Sequence, residues 1–230
     1  MRKKAFPSRN VLPQRVLAAA GLAPRAAPPS KNQSPTRPEW PVVLGIDPGT
    51  RIVGFGAVQA HREGPRFLDA GAIHAGASSS VPERLGEIQA RITQILARIR
   101  PDVVVVERAF AARNVQSALR IGEGRGVALA CAAAFGAEVI ELAPAVAKKA
   151  LVGHGAADKS QVARMVAAVL RLKEPPRSED ATDALALALA HLFQRVDSRL
   201  DGTRAGRTKQ SGGAGGAPRG HRDRALQAPA

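Results

Sequence analysis

The segment VVLGIDPGT, residues 42–50, decides the fold. It begins as an apolar run, which is typical of a buried strand, and it ends on an aspartate followed by a Pro-Gly turn signal. The hydrophobic run therefore places the carboxylate of Asp47 at the carboxyl edge of a sheet. Asp47 is the first candidate site residue, and its alternative interpretation is a cap on the turn at residues 48–50.

Composition restricts the kind of protein that this chain forms. Its 230 residues are 45% hydrophobic, which is enough for one packed core with extensions. The formal net charge of +15 favours a polyanionic partner such as nucleic acid. The single cysteine, Cys131, cannot form an intrachain disulfide, so a reducing, cytoplasmic location is expected. Since no run of about 18 apolar residues occurs, a soluble protein without a membrane partner is predicted.

The charge is concentrated at the two ends of the chain. Residues 1–40 carry eight Lys/Arg against one acid and no hydrophobic periodicity, which predicts a disordered basic extension. Residues 197–230 carry seven Lys/Arg against three acids and a Gly-rich run, which predicts a second disordered basic tail. Residues 41–196 are expected to form the folded domain. The extensions either add salt-sensitive attraction to nucleic acid or are solubilising remnants, and an upstream start codon is another origin for the first.

The folded part alternates between strand-like and helix-like segments. The segments PVVLGID, IVGFGAVQA and RFLDAGAIHA are joined by short turns, which predicts three antiparallel strands in a meander. The further predicted elements, in order, are a helix in VPERLGEIQARITQILARIR, a strand in PDVVVVE, a helix over 114–135, a strand in GAEVIEL, and helices over about 158–172 and 179–195. Together they predict an α/β protein with a mixed five-stranded sheet, made of an antiparallel meander of three strands plus two parallel strands and flanked by helices.

Three further acids join Asp47 as candidates. Glu107 ends the strand PDVVVVE in the same way, and two neighbouring strands would bring these carboxylates together. Asp180 and Asp183 are three residues apart at the start of a helix, so both project from one helix face. The alternative for this pair is a structural helix cap made by residues 178–180.

Four carboxylates directed at one place indicate a metal site. Because like charges repel, their pKa values rise unless cations neutralise them. Oxygen ligands without a His or Cys cluster favour Mg²⁺ or Mn²⁺ over zinc. Two such ions, about 4 Å apart, activate a water and stabilise the leaving oxygen of a phosphodiester. The acids alone therefore predict metal-dependent phosphodiester hydrolysis.

The blocks GIDPGTRIVGFG, PDVVVVERAF, ARNVQSALRIGEGRGV, LVGHGAADKSQV and EDATDALALALAH together resemble one family. Over residues 42–195 the chain is similar to the RuvC-type crossover-junction endodeoxyribonucleases, the Holliday junction resolvases of the RNase H-like fold. The resemblance implies an RNase H-like nuclease domain at 41–196 that makes paired nicks in opposing strands during recombination and repair. It also implies two Mg²⁺ ions per site, with Mn²⁺ as a substitute. Its four catalytic, metal-binding acids would be Asp47, Glu107, Asp180 and Asp183.

The same resemblance implies residues that contact DNA. Phe110 matches an aromatic that stacks on a base near the crossover, and core packing is its alternative. Lys148 and Lys159 match lysines that contact phosphate near the cut, with Lys149 as a substitute for Lys148 in a shifted register. Solvation alone is the other interpretation of the lysines. Further positions where the family meets DNA are Arg113, Asn114, Gln116, Ser117 and Arg125, whereas Arg120 and Glu123 fit a solvated helix face.

The partners implied by the resemblance are four-way junction DNA, a second copy of the chain, and a branch-migration complex of RuvA- and RuvB-like proteins. A junction has near two-fold symmetry, so two opposed cuts require two symmetry-related sites. The segment GVALACAAAF, residues 126–135, either packs against its own copy or is buried within the monomer. Two other functions remain open: a nucleotide binder of the actin-like ATPase fold and a DNA-binding protein without catalysis.

Overall fold

A computed structural model describes the backbone of residues 40–76, 78–108 and 115–207, and the side chains as far as residue 195. The chain divides into two compact units, Met1–Arg195 and Val196–Ala230, and the residues that build the site belong to the first. Of the predicted basic extensions, only Trp40 and the helical backbone of residues 197–207 fall within the described residues.

Five strands form one mixed sheet in the order β3-β2-β1-β4-β5. Strands β1 and β2, and β2 and β3, pair antiparallel, whereas β1, β4 and β5 run parallel. The predicted meander of three strands followed by two parallel strands is confirmed. The strands are β1 (Val42–Asp47), β2 (Ile52–Gln59), β3 (Arg66–His74), β4 (Val103–Glu107) and β5 (Glu138–Leu142).

Helices cover both faces of this sheet. They are α1 (Val81–Ile99), α2 (Val115–Phe135), α3 (Pro144–Val152), α4 (Lys159–Leu170) and α5 (Glu179–Arg207). Alternate strand residues point to opposite faces, so Leu44 and Ile46 pack with α1 and α2. Val43 and Val105 pack on the other face with α3, α4 and α5. Each sheet face therefore carries its own core.

Two helices differ from the sequence prediction. The sequence analysis assigned no helix to residues 144–152, where α3 lies, although Pro144 at its start and Gly153 in a left-handed conformation just past its end are typical helix boundaries. Helix α5 continues to Arg207 instead of ending near residue 195. Among the described residues, no helix has the length and apolar character required to span a bilayer.

Candidate active site

Strand pairing brings the first two acids together. Asp47 ends β1 and Glu107 ends β4, and these parallel strands are in register up to the pair Ile46 and Val106. Because side chains alternate along a strand, both acids fall on the sheet face that Val43 and Val105 share, which is the face covered by α5. The sheet therefore presents both carboxylates to the helix that carries the other two acids.

Three glycines let α5 lie directly on the strand backbones. A Cβ added at Gly45 would lie 1.9 Å from the carbonyl oxygen of Ala184, and one at Gly54 would lie 2.0 Å from that of Asp180. A Cβ at Gly56 would meet the Leu185 backbone nitrogen at 2.7 Å. Contacts below 3 Å between such atoms are not tolerated, so any side chain here would lift the helix. We call Gly45, Gly54 and Gly56 the glycine seat.

The glycine seat also explains where Asp180 lies. Gly54 is the cross-strand partner of Asp47 in the β1–β2 pair. Since Asp180 packs against Gly54, the first turn of α5 lies beside the end of β1. Asp183 is one turn along the same helix face. The close approach of helix and strand thus places the helix pair next to the strand pair.

Ser178 caps α5. Its hydroxyl oxygen accepts a hydrogen bond from the backbone N–H of Ala181 at 3.4 Å, and it lies 3.3 Å from an oxygen of Asp180, to which it donates. The Ser178 carbonyl accepts from the Thr182 hydroxyl at 3.1 Å. Among the described hydrogen bonds, the capping function falls to Ser178. The Asp180 carboxylate accepts a hydrogen bond from the capping serine but does not itself cap the helix. This weighs against the interpretation of Asp180 and Asp183 as a purely structural helix cap.

The acids interact strongly. The pKa of Asp47 is raised from 3.8 to about 8, mainly by burial and further by a side-chain hydrogen bond with Glu107 and the negative charges of Glu107 and Asp180, while Lys159 opposes the rise. Burial also raises the pKa of Asp183, as do the nearby charges of Asp47 and Asp180. Like charges in a poorly solvated place favour the protonated form. All four acids therefore belong to one electrostatic cluster.

Two lysines face this cluster. Lys148 and Lys159 line a cavity of about 130 Å³ together with Glu107 and Asp183. Their positive charges lower the pKa of Asp183, opposing the effect of burial. Lys149, the alternative in a shifted register, is exposed and lies outside the residues that line this cavity. The structure thus distinguishes Lys148 from its neighbour.

Lys159 has a second acidic neighbour. Its ammonium donates a hydrogen bond to Glu179, with an Nζ–Oε2 distance of 2.6 Å. This contact is the main reason that the pKa of Lys159 rises above 10.5, and Asp183 and Asp180 add to it. Glu179 was mentioned in the sequence analysis only as part of a helix cap. Its contact with a predicted DNA-binding lysine is a new finding.

The donor set fits a hard divalent cation. Carboxylate oxygens are the ligands that such ions prefer, and burial and neighbouring negative charge raise the pKa of Asp47 although Lys159 opposes them. Within the described residues, no three His, Cys, Asp or Glu side chains are already arranged so that they could hold an ion.

The predicted DNA contacts around α2 are only partly described. Phe110, Arg113 and Asn114 lie outside the described residues, and Gln116 is exposed. The Arg125 guanidinium forms an ion pair with Glu141 of β5. Arg120 pairs with Glu123 at 3.4 Å, one turn apart on an exposed face, as the solvated interpretation predicted.

The glycine seat is the largest part of the site that the sequence analysis missed. The glycines stand at alternate positions in strands, Gly54 and Gly56 in IVGFGAVQ and Gly45 in VVLGID. A strand glycine indicates either a bulge or close approach of another backbone. That signal was available from the sequence, but it does not identify which element approaches.

An RNase H-like sheet that gathers carboxylates at one edge defines a metal-dependent nuclease of that class. A family model described as crossover junction endodeoxyribonuclease RuvC matches residues 43–191. The chain belongs to this family, whose activity depends on divalent metal.

Individual relatives agree with the family match. The crossover junction endodeoxyribonuclease RuvC of Chromohalobacter salexigens is 41% identical over 170 residues, which is 74% of this chain and 90% of the relative. The RuvC structure of Thermus thermophilus matches with a TM-score of 0.63 and 38% identity, covering 68% of this chain and 96% of the other. A T. thermophilus RuvC structure in complex with Holliday junction substrate matches with a TM-score of 0.62 and 36% identity over the same shares.

Proposed function

We propose that this crossover junction endodeoxyribonuclease resolves Holliday junctions by hydrolysing phosphodiesters at the cluster of Asp47, Glu107, Asp180 and Asp183. The observation that carries the proposal is the placement of these acids at a single sheet edge: burial, and then the charges of acids from β4 and α5, raise the pKa of Asp47, and burial and the charges of Asp47 and Asp180 raise that of Asp183. Strand ends and a seated helix start are rigid supports, which a catalytic arrangement requires.

The four acids would hold two Mg²⁺ ions, with Mn²⁺ as a substitute. When bound, such ions activate a water and stabilise the leaving oxygen of an in-line displacement. The protein's contribution is to supply ionised carboxylates, so Asp47 must release the proton that its surroundings favour. The Ser178 hydroxyl orients Asp180 through its hydrogen bond.

Lys148 and Lys159 would bind phosphate beside the cut. Both line the cavity that also contains Glu107 and Asp183, so a phosphate entering there meets two ammonium groups and the acids together. A fixed cation near the developing charge stabilises the transition state. Phe110, Arg113 and Asn114 remain predicted DNA contacts. The basic segments at 1–40 and 197–230 are proposed to add non-specific attraction.

The enzyme is proposed to act as a homodimer, and α2 supplies a suitable surface. Val115 and Leu119 are 75% and 58% exposed, and Gly122 and Gly126 have no heavy atom within 4 Å of an added Cβ. These residues continue a spacing of four and three residues, which is the pattern of two packed helices. We call the set the open face of α2; its members are Val115, Leu119, Gly122, Gly126 and Ala133.

In the segment GVALACAAAF, burial within the monomer applies to one face of the helix, and packing against a second copy applies to the other. Ala128, Cys131, Ala132 and Phe135 are buried in the monomer core, whereas Gly126 and Ala133 are exposed. One segment therefore serves the monomer core and leaves a small-residue surface for a second copy. The remaining proposed partners are the RuvA- and RuvB-like branch-migration complex, and the proposed location is the cytoplasm.

Cleavage of a synthetic four-way junction tests the function. Wild-type protein with Mg²⁺ is expected to give paired nicks in opposing strands. Asp47→Asn is expected to lose at least about 10³-fold in cleavage rate while it still binds the junction, because an amide is a poor ligand for the ion and carries no charge. Nick positions on a denaturing gel and binding by fluorescence anisotropy provide the two readouts.

Other outcomes of this experiment would indicate a different function or a different catalytic site. Junction binding without cleavage under Mg²⁺ or Mn²⁺ in the wild type would favour a DNA-binding protein without catalysis. Cleavage that survives in Asp47→Asn would remove the four-acid cluster as the catalytic site.

A further inference from the structure

The Glu179–Lys159 ion pair lies where two helices begin. Lys159 is the first residue of α4 and Glu179 the first residue of α5, and the Nζ–Oε2 distance between them is 2.6 Å. Their side chains are 63% and 73% exposed. Either partner is therefore open to an incoming ligand, and the pair itself contributes little to folding.

The pair also borders the proposed catalytic cluster. Lys159 and Glu179 line a cavity of about 290 Å³ that includes Asp183. Lys159 additionally lines the smaller cavity beside Glu107. A phosphate that enters either cavity therefore meets the Lys159 ammonium, which a carboxylate already holds.

We propose that Glu179 is an internal competitor for Lys159: its carboxylate occupies the ammonium in the free enzyme and is displaced by a phosphate of the bound strand. This inference rests on the proposed function, since it assigns a regulator of substrate affinity to the same site. Glu179 has no catalytic part in it. The residue acts on DNA through Lys159 alone.

The physical basis is an exchange of anions. A lysine that already donates to a carboxylate must give up this contact when it donates to phosphate, so the net gain from the phosphate is reduced. Because the ion pair is exposed, breaking it costs little free energy, and the exchange is reversible. With a net charge of +15, the chain attracts DNA non-specifically. The competitor makes engagement of Lys159 conditional on a phosphate arriving beside the acids.

Junction affinity in the presence of a chelator tests the inference without metal-dependent chemistry. Glu179→Gln is expected to bind a labelled four-way junction roughly two- to fivefold more tightly than wild type, which is the range for one exposed ion pair. The slope of log Kd against log salt should stay nearly the same, since Lys159 contacts the same phosphate in both complexes and only the ion pair of the free protein is lost. Glu174→Gln removes an equal charge from the exposed connection before α5. This control should change affinity by less.

A double-mutant cycle separates competition for Lys159 from general charge repulsion. In the Lys159→Met background, Glu179→Gln should have no more effect than Glu174→Gln has there. Weaker binding by Glu179→Gln, an effect equal to that of Glu174→Gln, or a full effect that persists without Lys159 would each overturn the inference. If the wild type cleaves junctions and only these shifts are missing, the proposed function stands; if the wild type neither binds nor cleaves them, both fail.

Discussion

Glycines in two regions of this molecule have opposite surroundings. In the glycine seat, an added Cβ at Gly45 or Gly54 would lie 1.9 or 2.0 Å from a carbonyl oxygen of α5. On the open face of α2, an added Cβ at Gly122 or Gly126 would have no heavy atom within 4 Å. The seat is filled by the protein's own helix, whereas none of the described residues covers the glycines of the open face.

The difference separates two uses of the same residue. Glycine in a strand costs conformational entropy and is retained where backbones must approach closely. Glycine inside a helix costs about 1 kcal/mol relative to alanine. In the seat, this cost is offset because the missing side chains let α5 approach the strands and place Asp180 beside β1. On α2 no described residue of the monomer supplies it, which supports the proposal that a second copy packs there.

Among changes to these two regions, the largest expected effect comes from filling the seat with Gly54→Ala. Since the added methyl group meets the backbone of Asp180, the first turn of α5 must shift. We expect a loss of about 1–3 kcal/mol in the free energy of unfolding and, because a misplacement near 1 Å costs about 100-fold, a similar fall in single-turnover cleavage at saturating junction concentration. Urea unfolding and cleavage kinetics measure the two effects.

Gly56→Ala is the matched control for Gly54→Ala. It meets Leu185, beyond the acid pair, at 2.6 Å, where Gly54→Ala meets Asp180 at 2.0 Å. The Mg²⁺ concentration for half-maximal cleavage should rise more for Gly54→Ala than for Gly56→Ala. If both variants lose stability and raise this concentration equally, the seat is general packing and does not specifically position the acids.

These two regions also show how far the sequence could predict the molecule. The apolar run of β1, the four valines of β4 and the turn signals were sufficient for the sheet, because burial and strand periodicity are local properties. The position of Asp180 was harder to predict, since it depends on which helix packs against the strand glycines. A packing partner is a tertiary property, and no spacing within IVGFGAVQ specifies it. The α3 helix was missed although its boundary signals at Pro144 and Gly153 are local.

The Lys148 assignment illustrates the same limit at the site. The sequence left Lys148 and Lys149 as alternatives because adjacent lysines have equal chemistry. Helical geometry separates them by about 100°, so only the packing of α3 determines which one lines the cavity with Asp183. The four acids could be brought together from the sequence because strand ends and a helix start fix the directions of their side chains.

The free energy of unfolding of the metal-free protein, measured over a pH series, tests whether the seat holds the carboxylates close together in a buried place. The folded chain holds a proton on Asp47 up to about pH 8, whereas its ordinary pKa is 3.8. Between these values the folded state binds more protons than the unfolded state, so the free energy of unfolding should fall as pH rises. Asp183, whose pKa is also raised, acts in the same direction.

The matched variant for the pH series is Asp47→Asn. It should flatten the fall in stability between about pH 4 and pH 8, because the amide does not titrate. Added Mg²⁺ should reduce the dependence in the wild type, since the ion binds the carboxylate form and so favours ionisation. Urea unfolding in a chelator at several pH values makes the measurement. Identical pH profiles for the wild type and Asp47→Asn would contradict the proposed crowding.

The smallest expected effect comes from the open face, with Gly126→Ala. An added methyl group there meets no atom of the described monomer, so the free energy of unfolding measured at low protein concentration should rise by about 0.5–1 kcal/mol. If a second copy packs closely on Gly126, the same methyl group should weaken association, visible as a higher dissociation constant in sedimentation equilibrium. Higher monomer stability with unchanged association would place the dimer contact elsewhere on the molecule. A loss of monomer stability would show that Gly126, like Gly54, is covered by the protein itself.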